Sequence, residues 1–270
     1  MPPPLGYDLV RLRATSMRSM LSCFALAWVV VGCGKSDGGA ADSRGQGSAA
    51  SAAVERSSNS QPSAERPGDE RPTIVFVGTS LTAGLGLTDP DEAYPALIQK
   101  KIDSLGLNYR VVNAGVSGET SAGALKSIGW LMRSPASVVV IETGANDGLR
   151  GLGVAAMREN IQGIIDTVRA KHPDARIVLA GMEAPPNLGA RYTAEFREVF
   201  PELARANHAA LVPFLLAGVA GVDSLNQADA IHPNRKGAEV VADNVWKVLR
   251  GVLTTAAEGG AESRGKGTPG

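Results

Sequence analysis

The sequence predicts an α/β protein: a three-layer α/β/α domain built on a central parallel sheet of about five strands. Three observations predict it. Short β-branched runs alternate with stretches of helical periodicity from Thr73 onward, the order expected of βαβ units. One run, Val138 to Glu142 (VVVIE), is apolar on both faces, which suits the centre of a parallel sheet. Small polar residues and glycines gather just after the strands, at the sheet edge where ligands collect in open α/β folds.

In chain order, residues 73–77 form the first strand, which ends abruptly in Gly78-Thr79-Ser80. Gly84 and Gly86 keep the following backbone permissive. A strand that delivers a small hydroxyl to its carboxyl end makes Ser80 a nucleophile candidate by its address. Residues 92–105 follow as a helix with Tyr94, Leu97, Ile98, Ile102 and Leu105 on one face. Residues 108–113 are the second strand, and 121–132 a helix with Ala124, Leu125 and Ile128 at core spacing. The third strand, 138–142, leads to a helix at 153–171; a fourth strand at 176–181 leads to a helix at 193–206. A short fifth strand spans 210–213. The helix 234–249, with Ala238, Val241, Val245, Val248 and Leu249 on one stripe, closes a domain of residues 72–253.

The flanks have a different character. Arg11, Arg13 and Arg18 precede an apolar run, residues 20–31, shorter than the ~20 residues of a spanning helix. It ends in Val30-Val31-Gly32-Cys33, which reads as a signal peptide (1–33, with Met17 an alternative start) and resembles a bacterial lipobox with Cys33 as the lipidated residue. An ordinary secretory signal or a short membrane anchor are the other readings. Residues 34–71 and 254–270 are small and polar, so they are expected to be a disordered tether and tail. The expected location is the periplasmic face of an envelope membrane, with Gly34 after Cys33 favouring the outer one. Both cysteines, Cys23 and Cys33, lie in the leader, which leaves the domain no disulfide and no thiol nucleophile. Lys plus Arg equals Asp plus Glu at 27 each, and nothing suggests a nucleic-acid partner. Three histidines are too few for a rich metal centre. Oligomeric state is not read from the sequence.

Setting the ends of the strands side by side brings the chemistry together. Thr79-Ser80 succeeds the first, Asn113 to Gly118 the second, and Thr143 to Asp147 the third, while Asp229 to Asn234 precedes the last helix. A hydroxyl, glycine amides, a carboxamide and an Asp/His pair are the inventory of acyl transfer. Ser80 would attack a carbonyl, His232 would take its proton, and Asp229 would orient the imidazole. The amides of Ser80 and Gly115 and the side chain of Asn146 would receive the oxyanion.

These four segments, Gly-Thr-Ser-Leu-Thr-Ala-Gly, Asn-Ala-Gly-Val-Ser-Gly-Glu-Thr, Gly-Ala-Asn-Asp-Gly-Leu-Arg-Gly and Asp-Ala-Ile-His-Pro-Asn, resemble in order the four blocks of the SGNH hydrolases, within which the chain is most similar to the bacterial arylesterase, thioesterase and lysophospholipase branch. The resemblance implies a flavodoxin-like fold, no cofactor, an acyl-ester or lipid substrate, and Ser80, Gly115, Asn146 and His232 as the named residues, with Asp229 completing the triad. Thr79 departs from the family's usual Asp. Its hydroxyl keeps local bonding but the charge is lost, which bears on loop geometry and efficiency; faster turnover with unchanged labelling in Thr79→Asp would locate a defect in loop geometry.

Plainer roles stand beside these. Ser117 and Ser121 read as turn and cap residues, Asp147 as a loop-shaping residue, and Asn234 as a helix cap. His172 and His208 read as surface histidines, and Trp130 and Trp246 as core or groove residues. Glu183, Pro185 and Pro186 come after the fourth strand and are either pocket-shaping or simply a rigid loop. Deacetylation of a glycan, or binding by a catalytically weak module, are the functions to set against ester hydrolysis.

Overall fold

The computed structural model describes residues 69–264. The signal peptide, Cys33 and nearly all of the tether expected from the sequence lie outside the described residues. Asp69 and Arg71, at the end of that expected tether, lie against the domain: Arg71 pairs with Asp69 at 2.7 Å and donates to the Tyr109 carbonyl.

Five strands form one parallel sheet in the order β2-β1-β3-β4-β5. β1 (Thr73–Gly78) and β3 (Val138–Ile141) are buried throughout and sit side by side, flanked by β2 (Arg110–Gly115) and β4 (Arg176–Ala180), with β5 (Ala210–Val212) at the far edge. Val, Ile and Phe fill β1 and β3 because both faces are covered by helices and no position on them meets water.

Helix α2 (Tyr94–Ser104) packs beside α7 (Arg235–Arg264) on one face. On the other face α3 (Ser121–Leu131), α5 (Val154–Lys171) and α6 (Ala190–Ala206) pack in a row. This is the three-layer, flavodoxin-like arrangement expected, and the strand order reverses between β1 and β3, which makes that gap the topological switch point.

The apolar stripes do as their spacing demands: Tyr94, Ile98 and Ile102 of α2 and Val241, Val245 and Leu249 of α7 are buried. Leu105 is not, because α2 ends at Ser104 and the chain turns through Gly106 at φ 64°. Trp130 is also exposed, at 56 %, whereas Trp246 packs against the core. The last helix continues to Arg264, past the end at residue 249 and through much of the expected tail; its alanines and Glu258 are good helix formers, and the glycine pair at 259–260 does not interrupt it. Two short helices succeed strands without any sequence period to announce them: α1 (Ser80–Ala83) and α4 (Ala145–Leu149).

Phe76 has no exposed surface and meets Tyr94 edge-on, with ring centroids 5.6 Å apart. Phe76→Ala is therefore expected to destabilise the domain by about 3–5 kcal/mol, read as a lower urea midpoint at unchanged slope.

Candidate active site

Ser80 is the first residue of α1, buried at 8 % exposure, with Thr79 in extended backbone before it and Gly84 closing the helix at φ 75°. A first-turn amide has no intrahelical acceptor, and among the described residues the Ser80 N–H has no other acceptor. The loop before α7 brings His232 over it. His232 Nε2 lies 2.9 Å from Ser80 Oγ, and His232 Nδ1 lies 2.6 Å from Asp229 Oδ2. The other Asp229 oxygen accepts from the backbone N–H groups of Ile231 and His232 at 2.9 and 3.0 Å. Those bonds to His232 and Ile231 hold the Asp229 carboxyl well below its usual range, at about 2. The turn that lets residue 229 reach residue 232 costs a left-handed Ala230, φ 58°.

The three residues expected to form a triad are thus one bonded string. Gln227, which no sequence motif marked, ties that loop to the Ser80 side: its Nε2 donates to the Leu85 and Pro233 carbonyls, and its N–H to the His232 carbonyl. Asn234 does cap the following helix, accepting from the Gly237 N–H at 3.1 Å.

The oxyanion side requires one correction. The Gly115 N–H donates to Asn113 Oδ1 at 3.0 Å and is not available to a substrate. Gly115 is needed for a different reason: a Cβ there would lie 2.3 Å from the Ala83 nitrogen, so only glycine lets α1 settle on β2. Asn113 reinforces the contact by donating to the Thr82 carbonyl at 2.8 Å.

Three residues further on, Gly118 turns at φ 77°, and among the described residues its N–H has no acceptor. The α4 segment grips this turn at several points. Asn146 Nδ2 donates to the Glu119 carbonyl at 3.0 Å, Arg150 donates to the Gly118 carbonyl at 2.9 Å, and buried Asp147 accepts from Ser121 N–H and Oγ at 2.8 and 2.6 Å. Asp147 therefore shapes the loop. Ser121 is no cap, since Thr120 accepts from Gly123 and the Ser121 hydroxyl, which also receives a bond from Asn160, belongs to the Asp147 network. The expected Asn146 stands beside Gly118 and Glu119, with its second N–H still to use.

Glu183, Pro185 and Pro186 lie in the loop after β4. Glu183 faces Arg197 at 3.8 Å, Pro186 opens a short 3₁₀ turn, and neighbouring Ala184 and Leu188 lie near Gly148 and Gly151 at the edge of α4. A small cavity against Ser80 is lined by Leu81, Leu85, Leu87, Tyr94, Pro233 and Val241. Beneath it Glu142, the residue after β3, is fully buried and bonded to Thr79 and Thr82. The sequence showed it only as the end of an apolar strand.

The fold and this site define a carboxylic ester hydrolase of the SGNH type. Residues 76–240 match the model of the GDSL-like Lipase/Acylhydrolase family, and the chain belongs to that family. It is 42% identical over 182 residues to "Esterase TesA" of Pseudomonas aeruginosa, covering 67% of this chain and 89% of that protein. To "Thioesterase 1/protease 1/lysophospholipase L1" of Escherichia coli it is 34% identical over 179 residues, 66% of this chain and 83% of that one. Among solved structures it is similar to esterase EstA of Pseudoalteromonas sp., inhibited by monoethylphosphonate, with a TM-score of 0.63 and 34% identity over 67% of this chain and 98% of that one.

Gly115→Ala is expected to push α1 off β2 at a cost of about 1–3 kcal/mol, lowering the melting temperature and, because Ser80 moves with α1, kcat as well.

Proposed function

We propose that the protein hydrolyses carboxylic acyl esters or thioesters through a Ser80 acyl-enzyme. The observation that carries the reading is His232 bonded on one ring nitrogen to Ser80 Oγ and on the other to Asp229. In the first half-reaction His232 Nε2 takes the Ser80 proton as Oγ bonds to the acyl carbon, and returns it to the departing alcohol or thiol. In the second, His232 takes a proton from water, whose oxygen bonds to the acyl carbon, and gives it back to Ser80 as the carboxylic acid leaves. Asp229, held as an anion, fixes the imidazole tautomer and offsets the positive charge it acquires.

The oxyanion would be received by the Ser80 N–H, the second N–H of Asn146 Nδ2 and the Gly118 N–H, the last in place of Gly115. Apolar side chains exposed on the loops around the site, Leu85, Val116, Leu149, Leu152 and Ile231, suit an acyl chain better than a sugar ring. The activities that name the relatives, esterase, thioesterase and lysophospholipase, support the same substrate class. We also propose export and lipid anchoring through Cys33, a reading supported by the apolar run and small residues that precede it.

Ser80→Ala is expected to lower p-nitrophenyl ester turnover by about a millionfold and to abolish labelling by a fluorophosphonate; retained turnover would overturn the assignment. Asp229→Asn is expected to cost about 10,000-fold in kcat while leaving the fold intact. A panel of acetyl to long-chain esters, thioesters, lysophospholipid and acetylated sugars should favour the lipid-like esters. Because the Asp229 carboxyl is lowered from 3.8 to about 2, its tether is fully present above pH 3.8 and is lost only as pH falls through about 2. The contribution of this carboxylate to stability, followed by circular dichroism, should therefore be flat from pH 7 to 4 and fall only below that range.

A further inference from the structure

Glu142 leaves β3 at the switch point, directly across from the end of β1. It has no exposed surface, and among the described residues the hydrogen bonds to its carboxyl group come from amides and hydroxyls rather than from a cation. Oε2 accepts from the Thr79 N–H at 2.7 Å and from Thr82 Oγ1 at 2.9 Å; Oε1 accepts from Thr79 Oγ1 at 2.9 Å. Tyr94 Oη lies 2.7 Å from Thr82 Oγ1. Since Thr82 spends its one hydroxyl proton on Glu142, the tyrosine is the donor of that last bond, and the protons run in one direction, from α2 through α1 to the carboxylate. The residues so held stand immediately before Ser80 and two after it.

We propose that Glu142 is a positioning residue for the nucleophile: through Thr79 and Thr82 it fixes the turn that carries the Ser80 hydroxyl and amide, and Thr79 serves by donating into it. The inference rests on Ser80 being the nucleophile. An unpaired buried carboxylate is costly to maintain unless all its acceptor capacity is used. Here it is used on the two residues that bracket Ser80, which leaves α1 little freedom to rotate.

The same geometry gives Thr79 a role of its own. An aspartate at that position would place a second carboxylate within bonding distance of the first, and the two would have to share a proton. Tyr94 of α2 is the titratable side chain that faces this cluster, through Thr82, and burial holds its phenol neutral. Burial pushes the Glu142 carboxyl up while the bonds from Thr79 and Thr82 pull it down. An introduced aspartate would remove one of those donors and add a like charge.

The test uses the full chain, with Ser80→Ala as reference. Glu142→Ala is expected to lower kcat and the rate of fluorophosphonate labelling on the order of 100-fold, the effect of a misplacement of about 1 Å, with KM changed less than about twofold. Glu142→Gln should recover most of that loss, since its oxygen still accepts from Thr79 N–H and Thr82 while its amide donates to the Thr79 hydroxyl. Thr79→Asp should acquire a fall in kcat with rising pH that the parent lacks. The double variant Thr79→Asp/Glu142→Gln should lose that fall, because the carboxamide can donate to the new carboxylate. Parental kcat in folded Glu142→Ala, or a parental pH profile in Thr79→Asp, overturns the inference. Should Glu142→Ala fail to fold by circular dichroism, Glu142→Gln and the two Thr79→Asp proteins decide it. Turnover surviving in Ser80→Ala overturns the functional reading itself, and is distinguished by leaving labelling at another residue.

Discussion

A carboxylate that no cation bonds among the described residues, buried where the strand order reverses, is the constraint on which the rest of the site depends. Glu142 can remain there because the ends of β1 and α1 supply it with an amide and two hydroxyls. That in turn dictates the residues around it. Gly78 has no room for a Cβ, which would fall 1.9 Å from Thr82 Oγ1 and 2.8 Å from a Glu142 oxygen. Gly115 has none either, because α1 lies against it. The turn that carries Ser80 is thus set by packing and hydrogen bonds before any substrate arrives, the preorganisation that electrostatic catalysis requires.

The other parts of the site are tied to that turn by separate sets of bonds. Asn146, Asp147 and Arg150 of the α4 segment take hold of residues 118–121, so the loop after β2 is shaped by the loop after β3. Asp229 and Gln227 do the same for His232, one through its ring and backbone and the other through its carbonyl. Adjacent loops at the carboxyl edge of the sheet therefore brace one another, and no single element carries the arrangement.

How much of this could be read from the sequence depends on the kind of information that periodicity reports. The strands and the longer helices were legible because burial on one face or two imposes a pattern on many residues at once. That Ser80, His232 and Asp229 would meet at the sheet edge was legible from the small polar segments after the strands. Helices α1 and α4 were not, since four or five residues carry no period. Gly115 was given the wrong role, because a close-packing glycine and a turn glycine look alike in sequence, and only the Asn113 bond and the Gly118 backbone separate them. Glu142 was hidden by its neighbours, because one acid at the end of four apolar residues reads as the strand reaching water. Gln227 and Tyr94 act through single long-range bonds, which leave no local signature.

The loop carrying Asp229 and His232 belongs to neither the sheet nor a helix. It is suspended between a 3₁₀ turn at Asp223–Leu225 and α7, with Gln227 as a link to the Ser80 side and a left-handed alanine at its bend. Segments held this way open at a lower free energy than the core they rest on. The position of His232 thus depends on a handful of loop hydrogen bonds, whereas that of Ser80 is set by the sheet and the helix packed on it.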